Sequence, residues 1–177
     1  MRLLLFILAL SFSLNGFSKS HKLFLAKKNF NPNNILHFDA NLNDQCQFDL
    51  NNPLHIYWIL GNDPKKHAPS WPESSYVQSN FSIKTEDKVV FSNYAVEKVG
   101  DFLRGGLIAR SEMLDDGTCN AYVEADTSEY GMIQINTLYG ELKTFFGVPY
   151  SLKHFVISGL DENGQSFSKK INKSIEK

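Results

Sequence analysis

Apolar and polar side chains alternate along most of this chain. From Pro53 to Gly61 (PLHIYWILG), Leu54, Ile56, Trp58 and Leu60 fall on one side and His55, Tyr57 and Ile59 on the other, the period of a β-strand. Both sides carry apolar groups, so both are expected to meet protein. Segments of the same character are Lys22–Ala26, Ile35–Ala40, Tyr76–Ile83, Lys88–Val99, Gly106–Met113, Cys119–Asp126, Gly131–Thr137, Glu141–Phe146, His154–Gly159 and Gln165–Ile171. Turn chemistry separates several of them. Asp115-Asp116-Gly117 and Asp161-Glu162-Asn163-Gly164 each end on a glycine able to supply positive φ, and Tyr139-Gly140 is a weaker signal of the same kind.

Helical periodicity is confined to Val96–Arg104, which Gly100 interrupts. The pattern therefore predicts a mostly β, single-domain antiparallel β-sandwich or barrel with little helix, because parallel strands call for crossover helices. Gly61–Glu73, with three of the six prolines, and the asparagine-rich Asn29–Asn34 read as loops. The lysine-rich Lys169–Lys177 reads as a frayed tail.

The first residues follow a different rule. Met1-Arg2 precedes the apolar run Leu3–Leu14, and small or polar residues follow it, the order of a secretory signal peptide. Twelve residues fall short of the roughly 20 a membrane helix needs. The expected organisation is a signal peptide over residues 1–18 and one β-rich domain over 19–177, periplasmic or secreted, with no membrane span in the mature chain. Export would place Cys46 and Cys119 in an oxidising compartment, where they are expected to pair and close a loop of 73 residues.

Composition narrows the function classes. Lys+Arg 18 against Asp+Glu 19 gives a formal charge of −1, which leaves no positive excess for nucleic acid. The five histidines show no metal-type spacing, and Asp39, Asn41, Asn43, Gln45 and Gln47 lack the glycine and glutamate of a calcium loop, so a polar loop is expected there. No metal or other cofactor is predicted. No nucleophile elbow, phosphate-binding glycine loop or His-Glu-x-x-His helix occurs.

Weaker candidates remain. His37 and Asp39 share one strand face and His55 and Tyr57 share another, so neighbouring strands would bring imidazole, carboxylate and phenol together. Arg104 and Arg110, with Glu112, would lie along one face if Phe102–Met113 were continuously extended, and could hold an anion or form surface ion pairs. Among the aromatics Tyr57, Trp58, Trp71, Tyr76, Tyr94 and Tyr122, Trp58 falls on the core side, whereas Trp71, between Ser70 and Pro72, is the candidate for an exposed contact.

Two groups of residues also carry a resemblance. Leu23-Phe24, Lys27-Lys28-Asn29-Phe30-Asn31 and Asn52-Pro53-Leu54-His55-Ile56-Tyr57-Trp58-Ile59 near the start, with Met132-Ile133-Gln134-Ile135-Asn136 and Phe155-Val156-Ile157-Ser158-Gly159-Leu160-Asp161 near the end, are similar to the exported bacterial family catalogued as domain of unknown function 4833. The resemblance is thin from Asn62 to Asn120. It implies a small exported β-rich bacterial domain and brings no activity or site residue with it. The functional expectation is a non-catalytic binding or interaction domain of the cell envelope, whose partner is a protein, a glycan or a small molecule. The alternatives are a hydrolase or lyase using His37, Asp39 and His55, and a carrier with a ligand in a barrel interior.

Overall fold

The computed structural model describes residues 19–28, 33–68, 81–91, 102–145 and 148–172. The strands are β1 (Lys19–Lys28), β2 (Ile35–Leu42), β3 (Leu54–Leu60), β4 (Asp63–His67), β5 (Phe81–Thr85), β6 (Lys88–Phe91), β7 (Leu107–Met113), β8 (Cys119–Thr127), β9 (Gly131–Phe145), β10 (Val148–Leu160) and β11 (Ser166–Asn172). Among the described residues there is no helix, so none is long and apolar enough to cross a membrane. The mostly β expectation holds, and the sheet curls into a half-barrel.

Strand β9 is the spine. Its first residues pair with β8, from Gly131 opposite Thr127 to Ile135 opposite Val123. Beyond them, Thr137–Gly140 pair on that same edge with Leu25–Lys28 of β1, in parallel. The other edge carries β10 from Gln134 to Phe145, and β11 follows β10. A wing of β1–β4 and a wing of β5–β8 therefore diverge from a single strand. The β1–β9 ladder departs from the antiparallel expectation. It needs no crossover helix because the whole of the intervening chain, rather than one short connection, links the two strands.

The core lies between the wings. Phe24, Phe38, Ala40, Leu42 and Leu54 come from one, Val89, Ala109, Val123 and Ala125 from the other, and Ile133, Ile135 and Ile157 from the spine and its neighbour. The Phe24 and Phe38 rings stack with centroids 4.2 Å apart. Fully buried alanines at 40, 109 and 125 let the two layers approach where larger side chains would hold them apart.

The β2–β3 loop closes the open side. Asn43 Oδ1 accepts the N–H groups of Gln45 and Gln47, which shapes the loop and puts Cys46 in a left-handed conformation (φ 61°). Phe48 N–H donates to the Glu86 carbonyl at 2.7 Å in the β5–β6 turn. Cys46 bonds to Cys119 at the start of β8, with Cα atoms 5.3 Å apart, so the expected disulfide joins one wing to the other.

Several boundaries differ from expectation. Residues 63–67 of the proline-rich loop form β4, an edge strand on β3. Tyr139-Gly140 is not a turn, because Gly131–Phe145 is one strand and Gly140 pairs with Lys28 on one side and Phe155 on the other. Lys169 and Lys170 belong to β11, paired with Ile157 and Val156. The turns at Gly117 and Gly164 take φ of 79° and 73°, as expected. The leader over residues 1–18, Tyr76, Tyr94, residues 96–101 of the helix candidate and the tail beyond Asn172 lie outside the described residues.

Two stability measurements test this architecture. In the chain-entropy model, replacing both cysteines with serine lowers unfolding free energy by about 4 kcal/mol for a 73-residue loop, read from the denaturant midpoint; an unchanged midpoint would show that the clamp is dispensable. A Cβ on Gly159 would sit 1.8 Å from the Gln134 carbonyl oxygen across the ladder. Gly159→Ala should therefore cost on the order of 3 kcal/mol.

Candidate functional site

Giving Phe38 and Ala40 to the core forces His37 and Asp39, which alternate with them, onto the outer face of β2. The β2–β3 register then sets His37 opposite Tyr57 and Asp39 opposite His55. The four side chains that the alternation singled out thus share one patch. β1 adds Lys22, opposite Asp39, and Ser20, while β4 adds Lys66.

Tyr57 is the centre of the patch. Its ring stacks on His37 (centroids 5.0 Å, interplanar 12°), meets His55 at 4.8 Å in a tilted arrangement and lies 4.2 Å below the Lys66 ammonium. These neighbours leave Tyr57 only 7% exposed although it stands on an outer face. Its hydroxyl donates to Asp39 Oδ2 at 3.0 Å, and Ser20 Oγ donates to the same oxygen at 2.8 Å. Asp39 is 6% exposed, and its second oxygen, Oδ1, is buried without a hydrogen-bond partner among the described residues.

The electrostatics follow from this packing. Burial, then the hydrogen bond to Asp39 and its negative charge, push the Tyr57 phenol up to about 12. Burial pulls the His37 imidazole below its ordinary value, with Lys22 and Lys66 adding to the effect and Asp39 opposing it. The half-buried His37 is therefore uncharged at neutral pH, beside a carboxylate and two ammonium groups.

The remaining candidates lie elsewhere. Arg110, on the outer face of β7, hydrogen-bonds Glu124 of β8 through Nε. Arg104 precedes the strand rather than continuing it, and its N–H donates to the Asp126 carbonyl. Arg104 and Arg110 thus do not line one extended strand, because Gly105 and Gly106 break it. Trp58 is half-buried on the core-facing side of β3, and Trp71 lies outside the described residues.

A second polar cluster had no sequence signal. A bulge in β10 between Leu152 and His154 sets two consecutive residues against Glu141 of β9. Lys153 Nζ lies 2.7 Å from Glu141 Oε1, and His154 Nε2 lies 3.2 Å from Oε2. Residues 141 and 154 are too far apart in sequence for spacing to reveal them. The Lys153 hydrogen bond, then the charges of Lys153, His154 and Lys170, hold Glu141 below the usual carboxylate range. Both Glu141 oxygens are occupied, while the buried His154 Nδ1 has no hydrogen-bond partner among the described residues.

Together these features define a class: a half-barrel β domain, clamped by a disulfide, with an aromatic and ionic patch on the outer face of one wing. No family model, no curated protein and no solved structure matches the chain.

Because the fold favours the protonated phenol, the Tyr57 contribution to stability is complete below the ordinary tyrosine value of 10.0 and is lost as pH rises through about 12. Denaturant unfolding across that interval should show stability falling with pH. Tyr57→Phe should flatten the slope, and an unchanged slope would mean that other groups cause it.

Proposed function

We propose that this protein is an exported, non-catalytic binding domain of the cell envelope, without a cofactor, that engages its partner through the patch of His37, Asp39, His55 and Tyr57. One observation carries the reading: Asp39 Oδ1 is a buried acceptor with no donor among the described residues, in a patch whose rim groups His55 and Lys66 are exposed. An unpaired buried acceptor costs on the order of 1–3 kcal/mol, more when charged, and a bound donor relieves that cost. The Cys46–Cys119 disulfide fits an oxidising compartment, as the leader-like first residues do. Membership of the exported family belongs to the same proposal, and the string on which that resemblance rests runs through the strand carrying His55 and Tyr57.

The convergence of two imidazoles on Tyr57, beside a carboxylate, favours a second reading as an acid/base site of a hydrolase or lyase. It is the weaker one. A general base is held in one tautomer and orientation by a third group, but the hydrogen bonds of Asp39 go to Tyr57 and Ser20, and none joins it to His37 or His55.

Thermal unfolding of the oxidised protein against a panel of sugars, polyols, phosphates and carboxylates tests both. A ligand at 100 times its Kd should raise Tm by roughly 5–10 °C, and His55→Ala with Lys66→Gln should abolish the rise. No shift with any member would count against binding at this patch. Consumption of a bound compound would favour acid/base chemistry.

A further inference from the structure

The geometry narrows the ligand class. A carboxylate oxygen only accepts hydrogen bonds, so what satisfies Asp39 Oδ1 must be a donor: a hydroxyl, an ammonium or a water. An approaching ammonium would meet Lys22, opposite Asp39 across the β1–β2 ladder, and Lys66, held over the Tyr57 ring. The like charges disfavour it, which leaves an uncharged O–H, from a hydroxyl or a water, as the donor.

The rim has the opposite preference. Lys22 and Lys66 offer ammonium groups, and His37 and His55 offer ring nitrogens. Together they suit an anion at the edge of the patch, provided it does not sit over Asp39 itself. Among the described residues no group of three or more histidine, cysteine or carboxylate side chains is arranged to hold a metal ion, so Asp39 is not one member of such a set.

Resting on the binding reading given above, we infer that the patch takes a hydroxylated carboxylate, the chemistry shared by a free hydroxy acid and an acidic sugar within a polysaccharide. The ligand hydroxyl donates to Asp39 Oδ1 and its carboxylate lies against Lys66 and Lys22. Oδ1 is covered in the free protein. His55 is exposed and lies directly across the ladder from Asp39, at the border of the patch.

Histidine resonances of the full, oxidised chain provide the readout, with D-glucuronate, D-glucose and acetate as probes. Glucuronate should move the His37 and His55 signals and bind at least about tenfold more tightly than acetate, which lacks the hydroxyls, or glucose, which lacks the charge. Asp39→Asn should reduce glucuronate to the level of acetate. Lys66→Gln, at an exposed position that the fold does not need, should reduce it toward glucose. If an oligomer of galacturonic acid binds more tightly than D-galacturonate itself, the source is a polysaccharide; equal affinities indicate a free acid.

Acetate binding as tightly as glucuronate would overturn the inference, as would a glucuronate-to-acetate ratio unchanged in both variants. If inorganic phosphate alone moves the two histidine signals, the inference fails while binding at the patch stands. If no probe and no member of the wider panel moves them, both fail.

Discussion

Two strands compete for one edge of β9, and that competition shapes the rest of the molecule. Each backbone group on that edge can pair with only one neighbour, so β8 must end its ladder at Ile135 before β1 begins its own at Thr137. Strands that share a spine yet occupy successive parts of it cannot lie in one flat layer. The wings behind them fold toward each other, and the apolar faces of β2 and β7 meet as a core. A strand of 15 residues is what this arrangement requires, since an ordinary strand of five or six could not serve both wings and β10 as well.

The Cys46–Cys119 bond and the Phe48 hydrogen bond to Glu86 hold the wings together on the side away from the spine. They fix where the inner faces meet and place no demand on the outer ones. The outer face of β1–β4 can therefore carry a polar arrangement without disturbing the core. Within it Tyr57 has two roles. Its ring supplies the surface on which His37, His55 and Lys66 pack, and its hydroxyl supplies one of the two donors that make the Asp39 carboxylate tolerable in a buried position.

How far this was legible in the sequence depended on the range of the interaction. Alternation located β2, β3, β7 and β8 and put His37 with Asp39 and His55 with Tyr57, because a two-residue period is written into each strand. It could not say which strands were neighbours, so the meeting of the two pairs needed the register. β4 was hidden because Asp-Pro-Lys-Lys-His has no apolar face. An edge strand tolerates this composition, including a proline that lacks an N–H. Gly140 read as a turn because glycine is permissive in either setting, and only the ladders on both sides of it show a strand interior. Ser20 and Lys66 joined the patch from β1 and β4, and Lys153 with His154 reached Glu141 through a bulge. No local spacing announces any of these contacts.

As a device for stability alone, the patch is a poor one. A valine at 39 and a phenylalanine at 57 would keep the strand period and remove the buried carboxylate together with the phenol that serves it, leaving no unpaired oxygen. The core beneath would be unaffected, since Phe38 and Ala40 face the other way. The chain instead keeps an ionisable group at 6% exposure, gives one oxygen two donors and leaves the other with none among the described residues. At Glu141 the same fold fills both carboxylate oxygens from adjacent residues of one strand. The two clusters differ in which atom is left over: at Glu141 it is a ring nitrogen of His154, and at Asp39 it is an oxygen of the carboxylate itself, the group whose burial costs more without a donor.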